Sequence, residues 1–205
     1  MVIDGRSVAQ FPGEYTVGCF ESNQKHEGIG VNFPGFLAAN VLEELKLYTR
    51  RFIEGIGLHS TFCHTEFLYH PTRGWLFGEM GCRLPGGYQL PTESYIAQTD
   101  LLQVYLEMFT GGKDRAVIPP ETSGQRFVGY YLFPKRAGRV KSVQVDFSKP
   151  WIIESKVYLQ EGQLLEHEDS SVTMGAHVVY SADSIEELKL RSDKVQSLFK
   201  AEYCE

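Results

Sequence analysis

A chain of 205 residues can bury one large core or two small ones, and a composition 42% hydrophobic and 22% charged is ordinary for a soluble globular protein. Twenty Lys and Arg against 26 Asp and Glu leave a net charge of −6, which argues against a general nucleic-acid or anionic-membrane surface and points to small molecules or proteins as partners. No apolar run approaches the ~20 residues that span a bilayer, and MVIDGRSVAQ lacks the charged-then-apolar order of a signal peptide, so the expected compartment is the cytoplasm. Cys19, Cys63, Cys82 and Cys204 form no CxxC pair and read as reduced thiols.

In chain order, VIDG reads as a strand entering a turn, and Val8, Gln10 and Phe11 continue as a second strand. On this reading the chain opens inside a β-hairpin, and the expectation is a piece of a longer protein. Short strands punctuated by Gly and Pro follow up to about Val31, with a polar loop at SNQKHEG. FLAANVLEELKLYTRRFIEGIG sets Leu37, Val41, Leu42, Leu45, Tyr48, Phe52 and Ile53 at helical spacing and ends at Gly55 and Gly57. Ser60–Tyr69 and Trp75–Cys82 read as strands joined by HPTRG. One helix is expected over about Thr92–Phe109, closed by Gly111 and Gly112, and the connector KDRAVIPPETSG then marks a boundary between units 1–112 and 113–205.

Beyond it, RFVGYYLFP and RVKSVQVDF flank KRAG as a hairpin, and WIIESKVYLQ turns at EGQ as a second one, with AHVVYSA as further strand. Ser184 caps a closing helix, SIEELKLRSDKVQSLFKAE, with Glu187 as its capping-box partner. Turns too short for crossovers predict an α+β fold, a mainly antiparallel sheet with flanking helices followed by a small β-rich domain.

The hairpin Phe62–Gly87 carries the chemistry. If it is symmetric about Thr72 and Arg73, Glu66 faces Glu79, Leu68 faces Phe77, His64 faces Gly81 and Phe62 faces Arg83, all on one side of the ribbon. The other side, with Cys63, Thr65, Phe67, Tyr69, Leu76, Gly78, Met80 and Cys82, is more apolar and is expected to meet the core. Two carboxylates across a ladder repel unless a proton, a basic side chain or a metal ion lies between them. A Mg²⁺–nucleotide site meets that need, with Arg83 reaching phosphate oxygens and Gly81 leaving room. Solvated glutamates paired with Arg73 or Arg83 meet it equally, and the register does not decide between the two. A zinc site from His59, Cys63, His64 and His70 is disfavoured because Cys63 points away from His64 and His70. Cys63 and Cys82 face one another within disulfide reach and read as paired thiols in a reducing compartment.

Through GIGLHSTFCHTEF and GEMGCRLPGG the chain resembles the ATP-grasp superfamily, in which a helix and Gly-rich turn lead to an H-x-E strand, a hairpin and an E-x-[N/A/G]-x-R strand followed by Gly-Gly. TDLLQVYLEMFTGG is similar to the segment that follows, and GYYLFPKRAGRV with GAHVVYSADSIEEL is similar to the β-rich lid of the branch holding L-amino acid ligases, carnosine synthase and biotin carboxylase. The resemblance implies a carboxy-terminal ATP-grasp subdomain over 1–112 and a lid over 113–205. It implies Glu66 and Glu79 as ligands of Mg²⁺, with Mn²⁺ as a substitute, against the phosphates of ATP. Arg83 corresponds to the arginine at the acyl-phosphate or substrate carboxylate, Gly86 and Gly87 to backbone that approaches an anion, and His64 to a substrate-side group or a structural strand histidine. Asp4 corresponds to the acidic residue of the E-x-x-x-D-G motif.

The implied activity is ligation of a small carboxylate to an amine through an acyl-phosphate. The lysines that reach the α- and β-phosphates would lie on a missing amino-terminal half, so the 205-residue chain alone is expected to be nearly inactive. An exposed sheet left by that half would favour self-association. Gly81 departs from the Asn of many members, which implies a weaker second metal or a branch with a small residue there. The competing reading is a non-catalytic binding or assembly module that pairs with another subunit. Substrate identity stays open, with Trp75, Tyr88 and Tyr95 read as pocket lining or as packing.

Overall fold

The computed structural model describes residues 1–25, 27–110, 126–166 and 174–204. The elements run β1 (Val2–Ile3), β2 (Arg6–Ser7), β3 (Glu14–Tyr15), α1 (Cys19–Lys25), β4 (Ile29–Phe33), α2 (Ala39–Gly55), β5 (His64–His70), β6 (Gly74–Gly81), α3 (Gln89–Ala97) and α4 (Leu101–Thr110). They continue with β7 (Phe127–Pro134), β8 (Gly138–Val145), β9 (Ile152–Val157), β10 (Leu164–Leu165), β11 (Met174–Ala182), α5 (Ile185–Val195) and β12 (Phe199–Cys204). Every strand pair among the described residues is antiparallel, so the α+β class and the antiparallel sheet hold.

The chain forms two units, Met1–Pro12 with Leu37–Gly124, and Gly13–Phe36 with Gln125–Glu205. The expected boundary between 112 and 113 assigned residues 13–36 to the first unit. They lie with the second because β4 pairs along β7, Ile29 to Leu132 through Phe33 to Val128. The connector KDRAVIPPETSG and the closing glycines Gly111 and Gly112 lie outside the described residues.

In the first unit, β1 and β2 turn at Asp4 and Gly5, whose φ of 50° and 77° suit a tight hairpin turn. The Asp4 amide donates to Ser60 Oγ at 3.1 Å, and Val2 exchanges backbone bonds of 2.8 and 3.0 Å with Thr61, which fastens this hairpin beside the entry to β5. Helix α2 ends in a Schellman arrangement, Gly57 N–H on Glu54 O and Leu58 N–H on Ile53 O, both 3.2 Å. Its Phe52 stacks on Phe77 of β6, with centroids 4.4 Å apart.

The single helix expected over Thr92–Phe109 is two. Gln98 takes the left-handed conformation at φ 51°, and Asp100 Oδ1 accepts the Leu102 and Gln103 amides at 3.0 and 3.1 Å, starting α4 afresh. Phe62, Ala97, Leu101 and Val104 form the core between these helices and the strand entry.

In the second unit the sheet order is β3-β4-β7-β11-β9, and a smaller sheet runs β10-β8-β12. Helix α5 covers one face of the larger sheet, Leu188 and Val195 packing with Tyr131, Phe133, Val178 and Tyr180. Ser184 caps it as expected, its Oγ accepting the Glu187 amide at 3.1 Å, while Glu187 accepts in turn from the Asp183 amide. Buried Asn32 accepts from Tyr180 OH at 2.8 Å and donates to Ser192 Oγ at 3.0 Å, so each polar group is satisfied.

Four segments depart from the local expectations. The strands flanking KRAG do not pair with each other, because β7 is taken by β4 and β11 and β8 by β10 and β12. The strands around EGQ likewise part, β9 to β11 and β10 to β8. The closing helix stops at Val195, and FKAEYC forms β12 along β8, partly burying Phe199, Ala201 and Tyr203 on one side. In SNQKHEG, residues 22–25 belong to α1, with Glu21 in its first turn and Lys25 in its last, rather than to a loop.

Candidate functional site

The site begins with the pairing of β5 and β6. His64 pairs with Gly81, Thr65 with Met80 and Glu66 with Glu79, so the carboxylates face each other across the ladder in the expected register. Beyond them the register slips by one, Phe67 to Phe77 and Leu68 to Leu76, which leaves Gly78 as an extra residue on β6. A Cβ at Gly78 would come within 3.1 Å of the Glu66 carbonyl oxygen, so glycine permits the bulge. The expected Leu68–Phe77 partnership is therefore corrected. Phe77 joins Phe67, rings edge to face at 6.1 Å, and both lie on the side that meets Phe52 of α2. The bulge sorts the ribbon into a helix-facing aromatic side and a carboxylate side where Leu68 is 62% exposed.

On the carboxylate side, His64 Nε2 lies 4.0 Å from Glu66 Oε1. Burial holds the His64 imidazole below its usual range; Glu66 pulls it up, Arg83 pushes it further down and Glu79 pulls it up. At neutral pH it is an uncharged ring and supplies no cation between the glutamates. Arg83 lies across Gly81: a Cβ there would meet Arg83 Cγ and Nε at 3.4 Å, so the open space expected at Gly81 is where the arginine side chain rests. Its Nη1 donates to Leu84 O at 3.1 Å, and its other guanidinium nitrogens lie on an exposed side chain.

Gly86 and Gly87 follow in the turn leading into α3. Gly87 has φ 61°, and the space where a Gly86 Cβ would project is open. His59 and His70 stand apart from this group, His59 against Ser60 and Asp4 and His70 accepting the Thr72 amide within the hairpin turn at 3.2 Å. Trp75 packs on Tyr69 at 5.1 Å, the structural reading of that aromatic.

Among the described residues no three His, Cys, Asp or Glu side chains converge as a metal cage. Two facing carboxylates are the donor set present, hard and anionic. That set suits Mg²⁺, which keeps waters and substrate oxygens for its other positions, and does not suit zinc. What the sequence did not reveal is the bulge, and Gly78 inside an otherwise regular strand was its signal.

No family model matches this sequence, and no curated protein matches it. Solved structures do. L-amino acid ligase from Bacillus licheniformis superposes with a TM-score of 0.66 at 14% identity, over 86% of this chain and 44% of that one. Phosphoribosylglycinamide synthetase from Anaerococcus prevotii gives 0.68 at 11% identity, over 85% and 45%. The biotin carboxylase domain of 2-oxoglutarate carboxylase from Hydrogenobacter thermophilus, in complex with MgADP and bicarbonate, gives 0.62 at 14% identity, over 86% and 39%. These are ATP-grasp enzymes, and the chain has the ATP-grasp fold over most of its length. It spans less than half the length of each of the three.

Proposed function

We propose that this chain is the carboxy-terminal part of an ATP-dependent ligase that joins a small carboxylate to an amine. The observation that carries the reading is the Glu66–Glu79 pair, facing across one ladder in a fold shared with an L-amino acid ligase. Mg²⁺ would be held by these two carboxylates and would neutralise phosphate oxygens of the nucleotide.

The other parts are the protein's own. Arg83 offers a planar guanidinium to the acyl-phosphate or substrate carboxylate, and Gly81 keeps its path clear. His64, uncharged, orients a substrate group without competing for the anion. The amides at Gly86 and Gly87, entering α3, approach an anion closely. The carboxylate attacks the terminal phosphate of ATP, ADP leaves, and the amine displaces phosphate from the acyl-phosphate. Positioning and charge supply the rate. The remaining nucleotide contacts, in this reading, come from an amino-terminal part, and the location is cytoplasmic.

The test is ATP-dependent phosphate release over a panel of carboxylates and amines, on the protein as its native cell makes it. Glu79→Gln is expected to lower the rate by about 10²-fold or more, the scale of losing one electrostatic contact to the transition state. The isolated 205-residue chain is expected to be nearly inactive. An unchanged rate in Glu79→Gln would take this pair out of the chemistry, and no ATP-dependent phosphate release by the native protein with any carboxylate and amine would overturn the ligase reading in favour of an assembly module.

A further inference from the structure

Cys63 and Cys82 stand one step beyond the His64–Gly81 pair, at the open end of the hairpin that carries Glu66 and Glu79. The register of the ladder brings the two thiols near one another where the strands end, and both are free. They differ in setting: Cys82 is exposed, Cys63 half-buried. Burial raises the Cys63 thiol to about 11, against the pull of the Met1 ammonium and with a smaller push from Cys82. The two flank the site directly, since Cys63 precedes His64 and Cys82 precedes Arg83.

We propose that Cys63 and Cys82 are a reversible oxidation site, closing into a cross-strand disulfide that pins the open end of the carboxylate hairpin. A peroxide is the oxidant. The exposed Cys82 sulfur attacks it, the O–O bond breaks, an S–O bond forms and one water leaves. The Cys63 sulfur then attacks the Cys82 sulfur, the S–S bond forms, the S–O bond breaks, and the Cys63 proton leaves with the oxygen as a second water. Two thiols and one peroxide give one disulfide and two waters. A second thiol placed beside Cys82 at the end of the ladder favours closure over further oxidation of Cys82, and a thiol reductant returns the pair to its starting state.

The bond would fasten β5 to β6 beside Arg83 without touching Glu66 or Glu79. The inference does not depend on the ligase reading, because it is read by mass rather than by nucleotide binding. The full chain is titrated with hydrogen peroxide, alkylated under denaturing conditions and peptide-mapped by mass spectrometry. Titratable thiols are expected to fall from four to two per chain, with Cys63 and Cys82 in one cross-linked peptide, and to recover fully with dithiothreitol. In Cys63→Ser the cross-link is lost and a sulfenic acid at Cys82 is trapped by dimedone. In Cys82→Ser Cys63 resists peroxide, and circular dichroism verifies that both variants fold. Sulfinic acid at Cys82 without the cross-link, or oxidation confined to Cys19 and Cys204, would overturn the proposal.

Discussion

Glu66 and Glu79 show how far a sequence carries the placing of single residues. Counting symmetrically about Thr72 and Arg73 gives their facing, and the ladder has that pairing, but it reaches it through the bulge: at the turn His70 pairs with Gly74 and Tyr69 with Trp75, and the extra Gly78 brings Glu66 to Glu79. What counting does not supply is the setting: His64 uncharged, Arg83 folded over Gly81, and no third carboxylate among the described residues. Those depend on burial and on rotamers, which no spacing encodes. Glu93 belongs to the same class. Its position on α3 gives no sign of burial, yet desolvation pushes its carboxyl up to about 8, with the Met1 ammonium acting in the opposite direction. The folded state therefore holds a proton that the unfolded chain releases near 4.5, so this group's stabilising contribution is complete below that value and is lost as pH rises towards 8. His64 and His177, held below their usual range by burial, act in the opposite direction below about pH 6.5. The difference between wild type and Glu93→Gln in urea denaturation isolates the glutamate. The variant is expected to gain on wild type between about pH 5 and pH 8, by on the order of a few kcal/mol. A constant difference would show that Glu93 titrates normally.

At the scale of elements, periodicity finds α2 and the cap motif finds α5, because helix faces and caps are local. The break between α3 and α4 is hidden because apolar residues continue at helical spacing through Gln98–Asp100, and the competing signal is Asp100 as a cap. Asp100→Ala is expected to destabilise the first unit by about 1 kcal/mol, measured by chemical denaturation. No change would mean that α4 is held by packing alone. Strand partners are the least legible feature. β7 and β8 are neighbours in sequence across KRAG, but each is committed to strands far along the chain, and long-range pairing leaves no mark in a local window. The first four residues of β12, Phe199 to Glu202, read as helix because they continue a charged helical run, and only the pairing along β8 makes them strand.

The whole molecule joins two units, and residues 13–36 belong with the second although sequence order places them in the first. No helix among the described residues is long and apolar enough to cross a membrane. The antiparallel class is legible locally in the hairpins β1–β2 and β5–β6, while the second unit reaches it through long-range pairings, and the motif order from His64 to Gly87 points to the ATP-grasp fold that the structural comparisons bear out. The carboxylate hairpin is proposed to bind a divalent cation together with a nucleotide. This binding is tested most directly by titrating the isotope-labelled chain with Mn²⁺–ADP and following paramagnetic broadening of backbone amide signals, which registers even weak binding. Selective broadening is expected across His64–His70 and Gly74–Gly81, abolished when Glu66→Gln and Glu79→Gln are combined. Broadening that persists in the double variant, or none at the hairpin, would contradict it.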